Sequence, residues 1–301
     1  MRTIVIAVCA MLALAGSAAA QVAAPMLNPT PVFTLDPGNP AVLSWDMPSR
    51  VGASWAKVEF TDPASPVNPI AKGNVKQAEA QIVGAHAAAG ARLSKLNADL
   101  TGGGSLDLDY STVQAALHFG NWFSLGAGQD SEKNTDPTGT NKETLPHLGA
   151  TVRLADVLYL GVAGGKATIS RSGNPDLKRN TTRYGVAYLW RDKGDGLHAE
   201  VFHEKRDAVS TPTNEDEQVK NGGTLEFKVG GFLVGYTTNK TEFTSSTGVS
   251  GGSQTLKTYS LAWAPDQGLA VSLSHMAFKA NGSSGGPPEG KITTLGASWL
   301  F

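Results

Sequence analysis

The sequence predicts an all-β chain folded as a transmembrane antiparallel β-barrel. Three observations lead there. An apolar leader opens the chain, yet no later segment is apolar for the ~18 residues a membrane helix needs. From Asp109 onward, strand-like segments with one apolar and one small or polar face follow each other regularly. Their connections alternate between short turns and longer polar loops, the form of a barrel threaded through a bilayer.

Taken in order, Met1-Arg2-Thr3, an apolar run from Ile4 to Ala15 and the small residues up to Ala20 read as a secretory signal peptide, residues 1–20, cut before Gln21. The single cysteine, Cys9, leaves with it, so no disulfide or thiol chemistry is expected. The chain carries 25 Lys and Arg against 26 Asp and Glu; losing Arg2 with the leader takes the formal charge from −1 to −2. That balance points to no nucleic-acid partner. Residues 21–49 are Pro-rich and aperiodic, an irregular N-terminal segment that either plugs the lumen or hangs as a periplasmic tail.

The barrel is expected over residues 50–301. Arg50 to Phe60 reads as a strand with an imperfect pattern that suggests a bulge. Lys76 to Leu100 is ambiguous. Gln77 to Ile82 alternates like a strand, whereas Ile82, Ala85, Ala89, Leu93, Leu96 and Leu100 recur at helical spacing. Two strands turning at residues 86–90 give a barrel of 14, the favoured count; a helix or plug there gives 12. Further strands are expected at 109–119, 121–130, 145–155, 157–169, 181–191, 197–207, 220–229, 231–243, 255–264, 268–279 and 290–301, with longer loops at 131–144, 170–180, 208–219, 244–254 and 280–289. Trp122, Trp190, Trp263 and Trp299, with Phe119, Phe232 and Phe301, all fall at the short-turn end, as an interfacial aromatic girdle would.

The last strand alternates Leu295, Ala297, Trp299 and Phe301 on one face and then ends. It resembles the C-terminal strand of bacterial outer-membrane β-barrel proteins. The resemblance implies that these residues are the signal read by the barrel-assembly machinery. Asn39-Pro40-Ala41, followed by Val51-Gly-Ala-Ser-Trp55 and Asp62-Pro63, is similar to the hatch junction of the FadL-type family of hydrophobic-compound transporters. That similarity implies a 14-stranded barrel; the longer hatch sequence of the family is missing here.

Strand parity turns a set of charged residues inward: Arg153, Arg183, His198, Glu200, Glu204, Arg206, Glu226 and Lys228. They form either a polar constriction that selects solutes or a charge-compensated wall. His203 falls on the lipid face near the rim. Ser274 and His275 are adjacent in a strand and point to opposite faces, so they make no nucleophilic pair. No metal cluster or cofactor motif is legible. Glu215-Asp216-Glu217 is an acidic loop suited to Ca²⁺ or divalent-bridged lipopolysaccharide. The expected function is passage of small solutes, hydrophobic compounds among them, across an outer membrane. A structural or surface-interaction barrel with a filled lumen is the alternative, and an outer-membrane enzyme the least supported. The expected partners are outer-membrane lipid and lipopolysaccharide, the assembly machinery and small solutes.

Overall fold

The computed structural model describes residues 49–62, 65–101, 103–137, 139–171, 173–192, 195–209, 217–244, 250–281 and 289–301. The leader, the Pro-rich segment to residue 48 and Asn39, Pro40 and Ala41 lie outside them, as do Glu215 and Asp216. The fold is a closed barrel of 14 antiparallel strands in which every neighbour in sequence is a neighbour in space. The strands are β1 (Arg50–Asp62), β2 (Ser65–Val83), β3 (Ala87–Leu100), β4 (Ser105–Phe119), β5 (Phe123–Asp136), β6 (Gly139–Leu154) and β7 (Leu158–Arg171). They continue with β8 (Leu177–Asp192), β9 (Asp195–Arg206), β10 (Glu217–Val229), β11 (Phe232–Thr244), β12 (Ser250–Trp263), β13 (Gly268–Asn281) and β14 (Glu289–Leu300). β1 closes on β14 in unbroken register from Arg50↔Leu300 to Thr61↔Glu289, and Phe301 N donates to the Ser49 carbonyl at 3.0 Å. Closure leaves no strand edge, the condition for placing a sheet in lipid.

The ambiguous stretch resolves into β2 and β3, joined by a tight turn at residues 84–86 rather than 86–90. The helical alternative fails. The expected loop at 131–144 is also corrected: β5 and β6 run through it, paired from Phe123↔Val152 to Asp136↔Gly139. The bulge expected in β1 is absent against β14, and the pairing with β2 shifts only beyond Phe60.

In place of a bulge, the pattern changes face. In β1, Val51, Ala53 and Trp55 point outward, and then Ala56, Val58 and Phe60 point inward. β3 does the same, with Ala89, Ala91 and Leu93 outside and Leu96 and Ala98 inside. Running the other way, β4 has Leu106, Leu108 and Tyr110 inside before Val113, Ala115 and Leu117 outside. β13 and β14 switch between Leu273 and Met276 and between Ile292 and Leu295. The barrel therefore has two halves. In the half at the short-turn end, apolar side chains face out and small or polar ones face in. In the other half the faces are exchanged on the strands around β1, β3, β4, β13 and β14.

The outward apolar band is bounded by aromatics on both sides. At the short turns stand Phe119, Trp122, Trp190, Phe232, Trp263, Trp299 and Phe301, all exposed. At the upper edge of the band stand Trp55, Tyr184 and Tyr259, with Tyr236 packed on Tyr259 at 5.2 Å between ring centres. On β8 the band runs from Tyr184 to Trp190. At ~3.3 Å per residue and ~40° of tilt this is a height of about 15 Å between the two aromatic positions, which fits inside the ~25 Å apolar band of a transmembrane barrel. Strands of 12 to 19 residues exceed what such a band needs. The surplus forms the upper half, whose outer wall is polar.

Candidate functional site

The inner wall is the only surface that can carry a transmembrane path, and its two halves differ in chemistry. In the half within the apolar band it is lined by short polar side chains and charges. Ser272, Ser298 and Thr294 are inward and buried on β13 and β14, and Gln77, Glu79 and Gln81 on β2. Gln77 Oε1, Gln114 Nε2, Ser274 Oγ and Thr294 Oγ1 find no protein hydrogen-bond partner among the described residues. The lower lumen wall is therefore polar, and several of its side-chain atoms are left unpaired by the protein among the described residues.

The charged residues anticipated from strand parity all face inward, but they do not form one site. His198 Nδ1 lies 3.0 Å from Glu226 on β10 and its Nε2 lies 3.5 Å from Glu200 on its own strand. Two residues up β9, the Phe202 ring carries the Arg183 guanidinium 4.3 Å from its centre. Phe202 lies flat over Gly222, where a Cβ would stand 2.5 Å from the ring, so only glycine admits it. Glu204 is paired with Arg206 at 2.8 Å and with Arg183 at 3.8 Å. These six residues make one ladder of alternating charge across β8–β10. Arg153 and Lys228 sit apart, near the short-turn mouth. Arg153 donates to the Asp156 carbonyl at 3.0 Å, and Lys228 Nζ lies 2.8 Å from Asp266. His203 is outward, as expected, and stacks on Tyr184 at 4.9 Å.

Other inward charges were not anticipated. Glu79 on β2 bridges Arg50 on β1 and Arg92 on β3, each at 3.1 Å. Asp130 lies 3.7 Å from His147, and Arg179 reaches Glu143 at 2.8 Å. Each falls on the inward parity of its strand, and Glu79 and Arg92 alternate with apolar outward neighbours, so for those two the signal was present; Asp130, Glu143 and Arg179 stand between polar outward neighbours, which hides it. Glu79 with Arg50 and Arg92, and Arg179 with Glu143, pair opposite charges across strands. Removing one partner strands the other in a buried place, at a cost of about 3–5 kcal/mol.

In the upper half the wall turns apolar over β1–β4 and β12–β14. Val58, Phe60, Leu96, Leu106, Leu256, Met276, Phe278 and Ile292 belong to one buried cluster that faces the barrel interior. Cross-strand register builds it in rows. Val58, Ile292 and Met276 are consecutive partners, and the next row is Phe60, Gly290, Phe278 and Leu256. Phe60 and Phe278 meet edge to face over Gly290, with ring centres 6.3 Å apart at 78°. This cluster was missed because inward apolar residues contradict a barrel read as apolar-out throughout.

No protein-family model and no curated protein matches the chain. Solved structures do. The CymD monoaromatic hydrocarbon channel superposes with a TM-score of 0.60 at 12% identity over 93% of each chain. A Pseudomonas aeruginosa FadL homologue gives 0.55 at 9% identity over 93% of this chain and 96% of its own. The Ralstonia pickettii toluene transporter TbuX gives 0.53 at 12% identity over 87% and 92%. The shared feature is the fold.

Proposed function

We propose that the protein is an outer-membrane channel through which small solutes pass without an energy source, and that its upper lumen favours hydrophobic compounds. The observation that carries this reading is the inward apolar cluster around Phe60, Phe278 and Ile292, placed in series with a polar, charge-lined lower lumen. An ion crossing an apolar constriction loses its hydration, whereas a small aromatic loses nothing by leaving water there. The structural neighbours described as a monoaromatic hydrocarbon channel and a toluene transporter support the same solute class. The polar wall below then passes the solute toward the short-turn end, the periplasmic side on this reading. A filled structural or surface-binding barrel is the second reading, favoured by how completely Phe60, Phe278 and Ile292 are buried.

The test pairs single-channel conductance in planar bilayers with uptake of a labelled monoaromatic hydrocarbon by cells whose outer leaflet is lipopolysaccharide. Wild type is expected to raise uptake while conducting ions weakly. Phe60→Ala with Phe278→Ala should raise ion conductance several-fold, and removing residues 21–49 should raise it further if that segment plugs the lumen. Large unselective conductance without hydrocarbon uptake would make the protein a polar porin. Passage of neither solute by any variant would establish the filled barrel.

A further inference from the structure

The outer wall carries a row of charges that the lumen does not explain. Lys76 on β2 is the direct cross-strand partner of Lys95 on β3; Lys95 pairs with Asp109 on β4, Asp109 with Lys133 on β5, and Lys133 with Lys142 on β6. All five are exposed. Four ammonium groups thus share one carboxylate, and Lys95 Nζ approaches Asp109 no closer than 3.8 Å. Like charges directly opposite each other destabilise a sheet. Among the described residues, Lys76–Lys95 and Lys133–Lys142 are the only outward lysine pairs in direct register. Elsewhere on the same wall three lysines meet carboxylates: Lys205 with Glu217 at 2.8 Å, Lys279 with Glu289 at 3.3 Å, Lys240 with Glu242 at 2.6 Å. The row also lines a groove of about 570 Å³, floored by the small outward residues Ser111 and Ser131.

Its height narrows the partner. Ala78 and Leu93, the topmost apolar outward residues of β2 and β3 among those whose side chains are described, border the same groove directly below Lys76 and Lys95. The lysines therefore begin where the hydrocarbon ends. A row perpendicular to tilted strands also climbs. Across four steps of ~4.8 Å at ~40° of tilt, Lys142 stands about 12 Å above Lys76. A ligand matching this has acyl chains against Ala78 and Leu93, phosphate at the boundary, and further anionic groups above it.

We propose that this groove binds the phosphorylated sugar headgroup of a lipopolysaccharide molecule in the outer leaflet. Lys76 and Lys95 hold its boundary phosphate, and Lys133 and Lys142 hold the anionic core sugars. A glycerophospholipid has no anionic groups at the upper level, and a free phosphate makes no use of the apolar edge. The inference rests on the outer-membrane reading, but not on what the lumen passes.

The test titrates the full chain, refolded in detergent, with deep-rough lipopolysaccharide, the same glycolipid dephosphorylated, phosphatidylglycerol and inorganic phosphate. Changing all four lysines to Gln should weaken binding of the intact glycolipid by about tenfold or more, and dephosphorylation should weaken wild type similarly. Changing them to Arg should preserve binding, and Lys257→Gln, outside the row, should leave it unchanged. Heat-modifiable mobility checks that each variant is folded. Equal affinity of wild type and the Gln variant overturns the proposal. So does equal affinity for phosphatidylglycerol, which would mark simple anionic attraction, or phosphate binding alone at the same strength. Hydrocarbon uptake by the Gln variant should match wild type; loss of uptake in both would count against the channel reading only.

Discussion

The lower and upper halves of this barrel are built from the same strands and obey opposite rules. On β14, Leu295, Ala297 and Trp299 face outward and alternate with inward Gly296 and Ser298, whereas three residues from the top of the strand inward Ile292 opposes outward Lys291 and Thr293. One solvent arrangement explains each half. Where lipid surrounds the wall, apolar residues lie outside because hydrocarbon cannot satisfy polar groups. Where water surrounds it, they turn inside as in any soluble β-barrel. The switch follows a row of the register: Val58, Ile292 and Met276 are apolar, and the adjacent row of Ala56, Thr294 and Ser274 is mostly polar. The boundary of the membrane is thus written on the inner wall as well as the outer one.

The largest effect is expected where the lower half meets the assembly pathway. Trp299 and Phe301 end the outward row, with 55% and 59% of their surface exposed, where a soluble protein would hide them. Changing Trp299 to Ser and deleting Phe301 should leave little barrel in the outer membrane, with the chain recovered from the periplasm. Wild-type membrane levels would show that the terminal strand carries no signal. The same exchange on the upper wall, Thr293→Ser with Lys291→Ser, should leave assembly unchanged.

A second, smaller contrast measures the halves directly. Val234 and Thr238 both face outward on β11, Val234 within the apolar band and Thr238 above it. Val234→Arg should cost about 2–4 kcal/mol in urea unfolding from lipid bilayers, because the charge enters hydrocarbon. Thr238→Arg should stay within about 0.5 kcal/mol, because its position is already in water. Equal costs would remove the boundary from between them.

Much of this was legible before the structure. Period-two alternation, the short turns and the aromatic girdle at the C-terminal end place the later strands to within a few residues, because each is a local property. What misled was the face switch. When the apolar side changes within a strand, two apolar residues end up three apart: Leu93 and Leu96, Tyr110 and Val113, Leu273 and Met276, Ile292 and Leu295. Spacing of three is the mark of a helix when read alone, which is why Lys76 to Leu100 looked helical and β1 looked bulged. The inward charges of β6 and β8–β10 that parity singled out did face inward. Their division into a ladder and two separate rim residues did not follow from parity, since it depends on register between strands. The lysine row was illegible for the same reason: Lys76 and Lys142 are neighbours only through three intervening strands.

The smallest expected effect tests whether the upper half is packed as a core. Gly290 separates Phe60 from Phe278, and a Cβ there would stand 2.6 Å from the Phe60 ring. Inward glycine is common in barrel walls, so this position distinguishes a packed interior from an open one. If the two rings are held in place, Gly290→Ala must displace Phe60 from its edge-to-face contact, and overpacking of this kind costs about 1–3 kcal/mol. Phe60→Leu removes the atoms that would clash. The double variant Gly290→Ala, Phe60→Leu should therefore be more stable than the sum of its single changes predicts, and the coupling between contacting residues should reach about 0.5 kcal/mol or more. Urea unfolding of the four proteins of this cycle, refolded in the same lipid, gives the number. Strict additivity would mean that Phe60 already moves freely in the lumen, and the upper half would then be a wide vestibule with an apolar lining instead of a constriction.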